Sequence, residues 1–248
     1  LNSAIGIAAT TAAGSMQFLV DGAWTKRLHP GQAAKAGLEA ALLAKCGIRG
    51  TSDGICGERG FLTAYSANPS PHELFEGWGT RPLEIHETSI KAHTCCRYMQ
   101  GPIDALVDIK NINQIESSLV KRIRVGIPSV ATDIIWEPVK HKRRPLSVVD
   151  AQFSMPFGAA VAMRFGRASL SEFTPSILEM EDVMDLMQLT ECIIDEDLDT
   201  YYPEEWRSWA EIETSNGDIF YSYIKDPKGD PTNPLSQEEL ENKFLSLT

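Results

Sequence analysis

Two short loops carry residue types and spacings that could do chemistry on an organic anion. The first is Lys26-Arg27-Leu28-His29-Pro30-Gly31, set just ahead of a helical pattern. Backbone N–H groups at a helix start already attract negative charge, and Lys26 with His29 adds an ammonium and an imidazole suited to carboxylates. The second is Ser89-Ile90-Lys91-Ala92-His93-Thr94-Cys95-Cys96-Arg97-Tyr98, again followed by a helix. Here Lys91, Arg97 and Tyr98 offer several hydrogen-bond donors within a few residues, and an arginine can grip a carboxylate with two parallel bonds. Composition alone also allows a plainer reading of the first loop, with Lys26 and Arg27 as surface charges and His29 as a turn residue.

The cysteines point away from metal chemistry. Adjacent Cys95 and Cys96 are poorly placed to bridge each other, and no His or Cys partner sits at zinc spacing, so no metal is expected. Cys96 reads as a small packed residue or a thiol lining a pocket. Five cysteines, odd in number and unpaired in spacing, indicate a reducing compartment.

The elements that must hold these loops come from hydrophobic periodicity. An Ala-rich helix is predicted over 2–20 as a buried element, and a second over 32–45 with Gly47 behind it as a C-cap. Residues 47–82 read as a connector, with a short helical patch at 72–77 and a boundary near 85. Beyond it, helices are predicted at 102–110, 149–165 and 180–187. Strands are predicted through Val120–Ile127, 191–194, 209–214 and 219–224, which makes the second unit α+β. Ser236 and Glu239 form a capping box for a last helix whose Leu240, Phe244 and Leu247 need a partner surface.

Composition sets the outer limits. The 248 residues, 43% hydrophobic and 23% charged, suit a globular chain rather than a disordered or fibrous one. A net charge of -11 repels phosphate backbones, so no nucleic acid is expected as partner. The basic cluster 140–144 reads as a solvated loop. The apolar run in residues 2–20 is too short and too broken by glycine, serine and threonine for a membrane span or signal peptide.

Together the two loops resemble well-known stretches of the MmgE/PrpD family. The resemblance covers nearly the whole chain. It runs through Ala4-Ile5-Gly6-Ile7-Ala8-Ala9, Trp24 to Gly31, Ser89-Ile90-Lys91, Cys95-Cys96-Arg97-Tyr98, Asp150-Ala151-Gln152-Phe153-Ser154-Met155-Pro156, and Pro234 to Phe244. It implies an α+β fold: part of an all-helical domain (1–84), a smaller α+β lid (85–228), and a final helix (229–248) that returns to the helical domain. It also implies a homodimer, or a complementing chain, located in the cytoplasm, or in the mitochondrion if a transit peptide precedes this sequence.

By that resemblance the activity is a lyase reaction, in particular a hydro-lyase step on a 2-methylcitrate or alkylcitrate type of tricarboxylate, with no cofactor. Lys26, His29 and Lys91 take the catalytic roles, with the two lysines sharing one cavity, while Arg97, Tyr98, Cys96, Gln152 and Ser154 bind substrate. Removing a proton next to a carboxylate builds negative charge there, and a fixed cation stabilises it; an imidazole moves the proton. The position of Cys96 is a histidine in decarboxylating members, and a thiol is a poor substitute acid near neutrality, which favours dehydration. Phe157 stands where some relatives have an active-site tyrosine and has no hydroxyl to give. The resemblance also implies that the chain opens inside the helical domain and stops before its last helices. The competing readings are a non-catalytic, partner-binding half of a split protein, or a member that decarboxylates or epimerises its substrate.

Overall fold

The computed structural model describes residues 1–248, which form two compact units, Leu1–Leu83 and Glu84–Thr248. No helix is long and apolar enough to cross a membrane.

The first unit is built on two helices, α1 (Asn2–Thr10) and α2 (His29–Lys45), packed against each other. The Ala-rich pattern predicts one buried helix to residue 20, but α1 stops at Thr10 and only its Gly6 is buried. The physical reason lies in the threonines. The hydroxyls of Thr10 and Thr11 bond back to the carbonyls of Gly6, Ile7 and Ala8, competing with the helix ladder. Gly14 then adopts a φ of 141°, which ends the helical path. Gly6 is required for close approach, because a Cβ there would lie 2.3 Å from the Thr51 carbonyl oxygen. The turn 24–28 is a 3-10 helix running directly into α2, which therefore starts at His29 rather than Gln32.

The second unit is a four-stranded mixed sheet covered on one face by helices. Its strands are β1 (Val120–Ile127), β2 (Thr190–Ile194), β3 (Ser208–Thr214) and β4 (Ile219–Ile224), in spatial order β2-β1-β3-β4. β1 runs parallel to β2 and antiparallel to β3, with Val125 opposite both Cys192 and Ala210. The buried face carries Ile123, Val125, Ile127, Ala210 and Ile212, each at 0% exposure. The open face carries cross-strand ion pairs, Arg122 with Glu213 and Arg124 with Glu211.

Helix α3 (Gln100–Asn113) lies on β3 and β4, while α4 (Met155–Phe165) packs against α3, β2 and α5 (Glu181–Gln188). Ile103, Leu106, Phe157 and Met163 are fully buried between these layers, and each such side chain contributes about 1.5–3 kcal/mol. The predicted single helix over 149–165 is in fact two, Val148–Ala151 and α4. Ser154 breaks it by taking an extended conformation and accepting the Phe157 N–H, with Pro156 in the first turn of α4. The last helix, α6 (Gln237–Leu247), begins with the predicted capping box of Ser236 and Glu239. Lys228 pairs with Glu239 at 3.1 Å and ties α6 to the second unit. Phe244 and Leu247 remain 66% and 59% exposed.

Candidate active site

Lys26 and His29 belong to the first unit, and both gather around one ring. Phe18 is buried; the Lys26 ammonium lies 5.4 Å from its ring centroid, and the His29 imidazole meets it edge-on at 6.0 Å. At the start of α2 the backbone N–H groups are only partly available to an anion. The His29 N–H is bonded to the Lys26 carbonyl by the preceding 3-10 turn, and Pro30 has no N–H to give.

The other six candidates lie in the second unit, where the loop 90–99 crosses the N-terminal end of α3. Lys91 is exposed and its ammonium donates to the Cys95 carbonyl at 3.0 Å, curling back over its own loop. Cys95 and Cys96 are buried beneath it. Burial, together with Cys96, pushes the Cys95 thiol well above the ordinary range despite the nearby Lys91 charge, so it stays protonated. All five cysteines are free thiols. The Cys96 N–H donates to the Gln152 carbonyl at 2.8 Å, and the Gln152 amide donates to the Thr94 carbonyl at 3.1 Å. Gln152 thus clamps the cysteine loop from the turn ahead of α4.

Beside Cys96 stands Lys142, from the basic cluster expected to be a solvated loop. Only part of that cluster is solvated. Lys142 donates to the carbonyls of Ile134 and Phe153 at 2.6 and 2.9 Å, and Arg143 donates to the Thr190 carbonyl at 2.7 Å while lying over the Trp136 ring. Burial lowers the Lys142 ammonium from its usual range, offset by Asp150 and Cys96. The Ile134 and Phe153 carbonyls lie in the irregular backbone around 132–154, and the long Lys142 side chain reaches and satisfies them.

Three candidates are committed to other groups. The Arg97 guanidinium pairs with Asp230 at 2.6 Å and lies 4.6 Å above Trp206. The Tyr98 hydroxyl shares a 3.0 Å bond with Tyr202, and burial with that bond pushes it up to about 12. Ser154 is fully buried, donating to the Lys142 carbonyl and accepting from Phe157. Arg97 and Tyr98 face the 198–208 segment, while Cys96, Gln152, Ser154 and Lys142 gather on the α4 side of the loop.

Sequence reasoning missed one pair within the loop. His93 bonds Asp104 of α3 at 2.8 Å, and the other Asp104 oxygen accepts the Lys228 N–H at 2.8 Å. Gln100, wholly buried, holds the same loop through the His93 N–H and the carbonyls of His93, Cys95 and Cys96. The signal was a histidine and an acid eleven residues apart, straddling a loop-to-helix junction, and only the fold brings such a spacing together. No group of three or more His, Cys, Asp or Glu side chains converges as metal ligands do.

Residues 93–248 match the MmgE/PrpD C-terminal domain and residues 1–74 the MmgE/PrpD N-terminal domain. The chain is 28% identical to the cis-aconitate decarboxylase-like protein oryM of Aspergillus oryzae, over 99% of this chain and 52% of that protein. It is 25% identical to a cis-aconitate decarboxylase of Aspergillus terreus, over 100% of this chain and 52% of that protein. It is 28% identical to the cis-aconitate decarboxylase of Homo sapiens, over 89% and 45% respectively. The chain therefore spans about half the length of the curated relatives it matches.

Proposed function

The chain belongs to the MmgE/PrpD family, and we propose from that premise that it serves a cofactor-independent lyase acting on a small tricarboxylate. The observation that carries this reading is Lys91. In a chain of net charge -11, this exposed ammonium takes part in no ion pair and is instead held on the Cys95 carbonyl, its remaining donors free for a ligand.

The chemistry asks for such a cation. In a dehydration, a base takes the proton next to a carboxylate, the electrons spread onto that carboxylate, and hydroxide leaves from the adjacent carbon. In a decarboxylation, carbon dioxide leaves and the electrons it releases spread into the remaining acid until a proton arrives. Both routes pile charge on a carboxylate, and a fixed ammonium lowers that barrier. Lys91 takes this role, and Gln152 and Cys96 shape the wall beside it. In the first unit, His29 takes the proton-transfer role and Lys26 an anion-holding one.

Within this class we read the reaction as dehydration of a 2-methylcitrate-type acid. Cys96 puts a thiol, not an imidazole, at the position that carries a histidine in decarboxylating members. The names of the relatives favour the second reading, decarboxylation of cis-aconitate. Incubating the full protein with each acid separates the two: ultraviolet absorbance of a new double bond reports dehydration, and released carbon dioxide reports decarboxylation. Lys91→Ala is expected to lower kcat/KM by about 100-fold or more. Full activity of that variant on both acids would sink the proposal.

A further inference from the structure

Lys91 sits inside a closed circuit of hydrogen bonds. On its N-terminal side the Ile90 N–H donates to the Gly229 carbonyl at 2.8 Å. On its C-terminal side the His93 imidazole donates through Nε2 to Asp104 of α3 at 2.8 Å, and the other Asp104 oxygen accepts the Lys228 N–H at 2.8 Å. Lys228 and Gly229 are neighbours, so residues 90 and 93 are tied to one turn, with Asp104 as the bridge. The approach is close, because a Cβ on Gly229, which has a φ of 92°, would lie 1.8 Å from the Ile90 oxygen. From α6, Lys243 adds a 2.6 Å bond to the Lys91 carbonyl.

Backbone satisfaction does not account for the His93–Asp104 contact. The irregular loop's own polar groups are met elsewhere. Gln100 takes the His93 N–H and reaches the carbonyls of His93, Cys95 and Cys96, while the Thr94 and Cys96 N–H groups donate to the carbonyls of Ala168 and Gln152. Yet the His93 and Asp104 side chains are only 12% and 14% exposed, withdrawn from water to meet each other. What the pair adds is closure, since without it the 228–229 turn holds Lys91 from one side only. With both sides fixed, the place of the ammonium is set by its own side chain and by its bond to the Cys95 carbonyl. A cation stabilises developing charge best when it is fixed beforehand, and a displacement of about 1 Å costs on the order of 100-fold in rate.

We propose that Asp104, acting through His93, is a positioning residue for Lys91: the bridge holds the ammonium where substrate charge develops, and neither His93 nor Asp104 touches substrate. This rests on the reading of Lys91 as the cation that stabilises a substrate carboxylate.

The test is kcat/KM of the full protein on 2-methylcitrate and on cis-aconitate for Lys91→Ala, His93→Ala, Asp104→Ala and Asp104→Asn, with the last three repeated in the Lys91→Ala background. Asparagine keeps an oxygen for the Lys228 N–H and offers its amide to the imidazole, so it preserves the bridge that alanine removes. His93→Ala and Asp104→Ala are expected to lower kcat/KM about tenfold or more, and Asp104→Asn to stay within about threefold of the parent. Added to Lys91→Ala, the same changes are expected to cost less than about twofold further, because a bridge that works through Lys91 has nothing left to position. His93→Ala leaves the Gln100 clamp and the Lys228–Asp104 bond in place, so it carries the test if Asp104→Ala does not fold. Losses that repeat in full in the Lys91→Ala background would show that the pair only supports the fold, and would overturn the inference. Parent-like activity of His93→Ala and Asp104→Ala, alongside a loss in Lys91→Ala, also overturns it and leaves the proposed function standing. If Lys91→Ala is as active as the parent, or the parent turns over neither acid, the carboxylate role of Lys91 and its positioning fall together.

Discussion

Arg97 shows how far a side chain's type can mislead about its task. As a lone arginine in a cationic loop it suits a substrate carboxylate, yet it already holds one, Asp230, whose side chain is only 9% exposed, and it lies on Trp206. Removing one partner of a buried pair leaves the other charge stranded. Arg97→Met is therefore expected to lower unfolding free energy by about 3 kcal/mol, read as a shift in urea midpoint with an unchanged m-value. Unchanged stability with lost citrate binding would return Arg97 to the substrate. Lys91 is expected to behave in the opposite way: loss of anion binding, with stability nearly unaffected by removal of an exposed ammonium.

Elements fix where these residues stand, and their ends matter more than their middles. Ser154 was expected to touch substrate, but its hydroxyl stops one helix, starts α4 and receives nothing from solvent. Replacing such a cap by alanine costs about 1–2 kcal/mol. Ser154→Ala is expected to lose that much in thermal or urea unfolding, and to loosen Lys142 through its freed carbonyl. Ser154→Thr keeps the oxygen and is expected to recover most of the loss; equal destabilisation by both variants would show that packing, not capping, sets the cost. Gly229 makes a comparable demand on the backbone, where the strained φ and the Ile90 carbonyl exclude any side chain.

For the whole molecule the acidic balance sets a pH response. Glu172 is 2% exposed. Burial alone raises its pKa, but hydrogen bonds from Ser169, Ser171 and Arg167 outweigh it and hold the carboxyl below the usual range. A carboxyl depressed in the folded state stabilises the fold above its unfolded pKa, about 4.3, and that contribution is lost as pH falls through the lower folded value. Stability measured from pH 6 down to about 3 is expected to fall more steeply in the parent than in Glu172→Gln, which lacks the titrating group. Identical slopes would show that Glu172 takes no part. The first unit has a different weakness, since Leu38, Leu42, Trp78 and Leu83 are each more than half exposed. Apolar surface of that extent is expected to bind a hydrophobic dye in the isolated chain, less so in Leu38→Glu/Leu42→Glu.

The elements with strong local signals were legible in the sequence. The period-two pattern of β1, β3 and β4, the Ser236–Glu239 capping box and the family motifs all depend on neighbours a few residues away, and those are written in order along the chain. Tertiary structure alone decided which polar groups meet. The bonds Lys91–Lys243, Arg97–Asp230 and His93–Asp104 join partners 152, 133 and 11 residues apart. A lysine's sequence says it has three donors. Only the packing of a loop against a distant helix says which of them are already spent and which remain for a ligand, because an irregular backbone's unpaired carbonyls compete for the same cations.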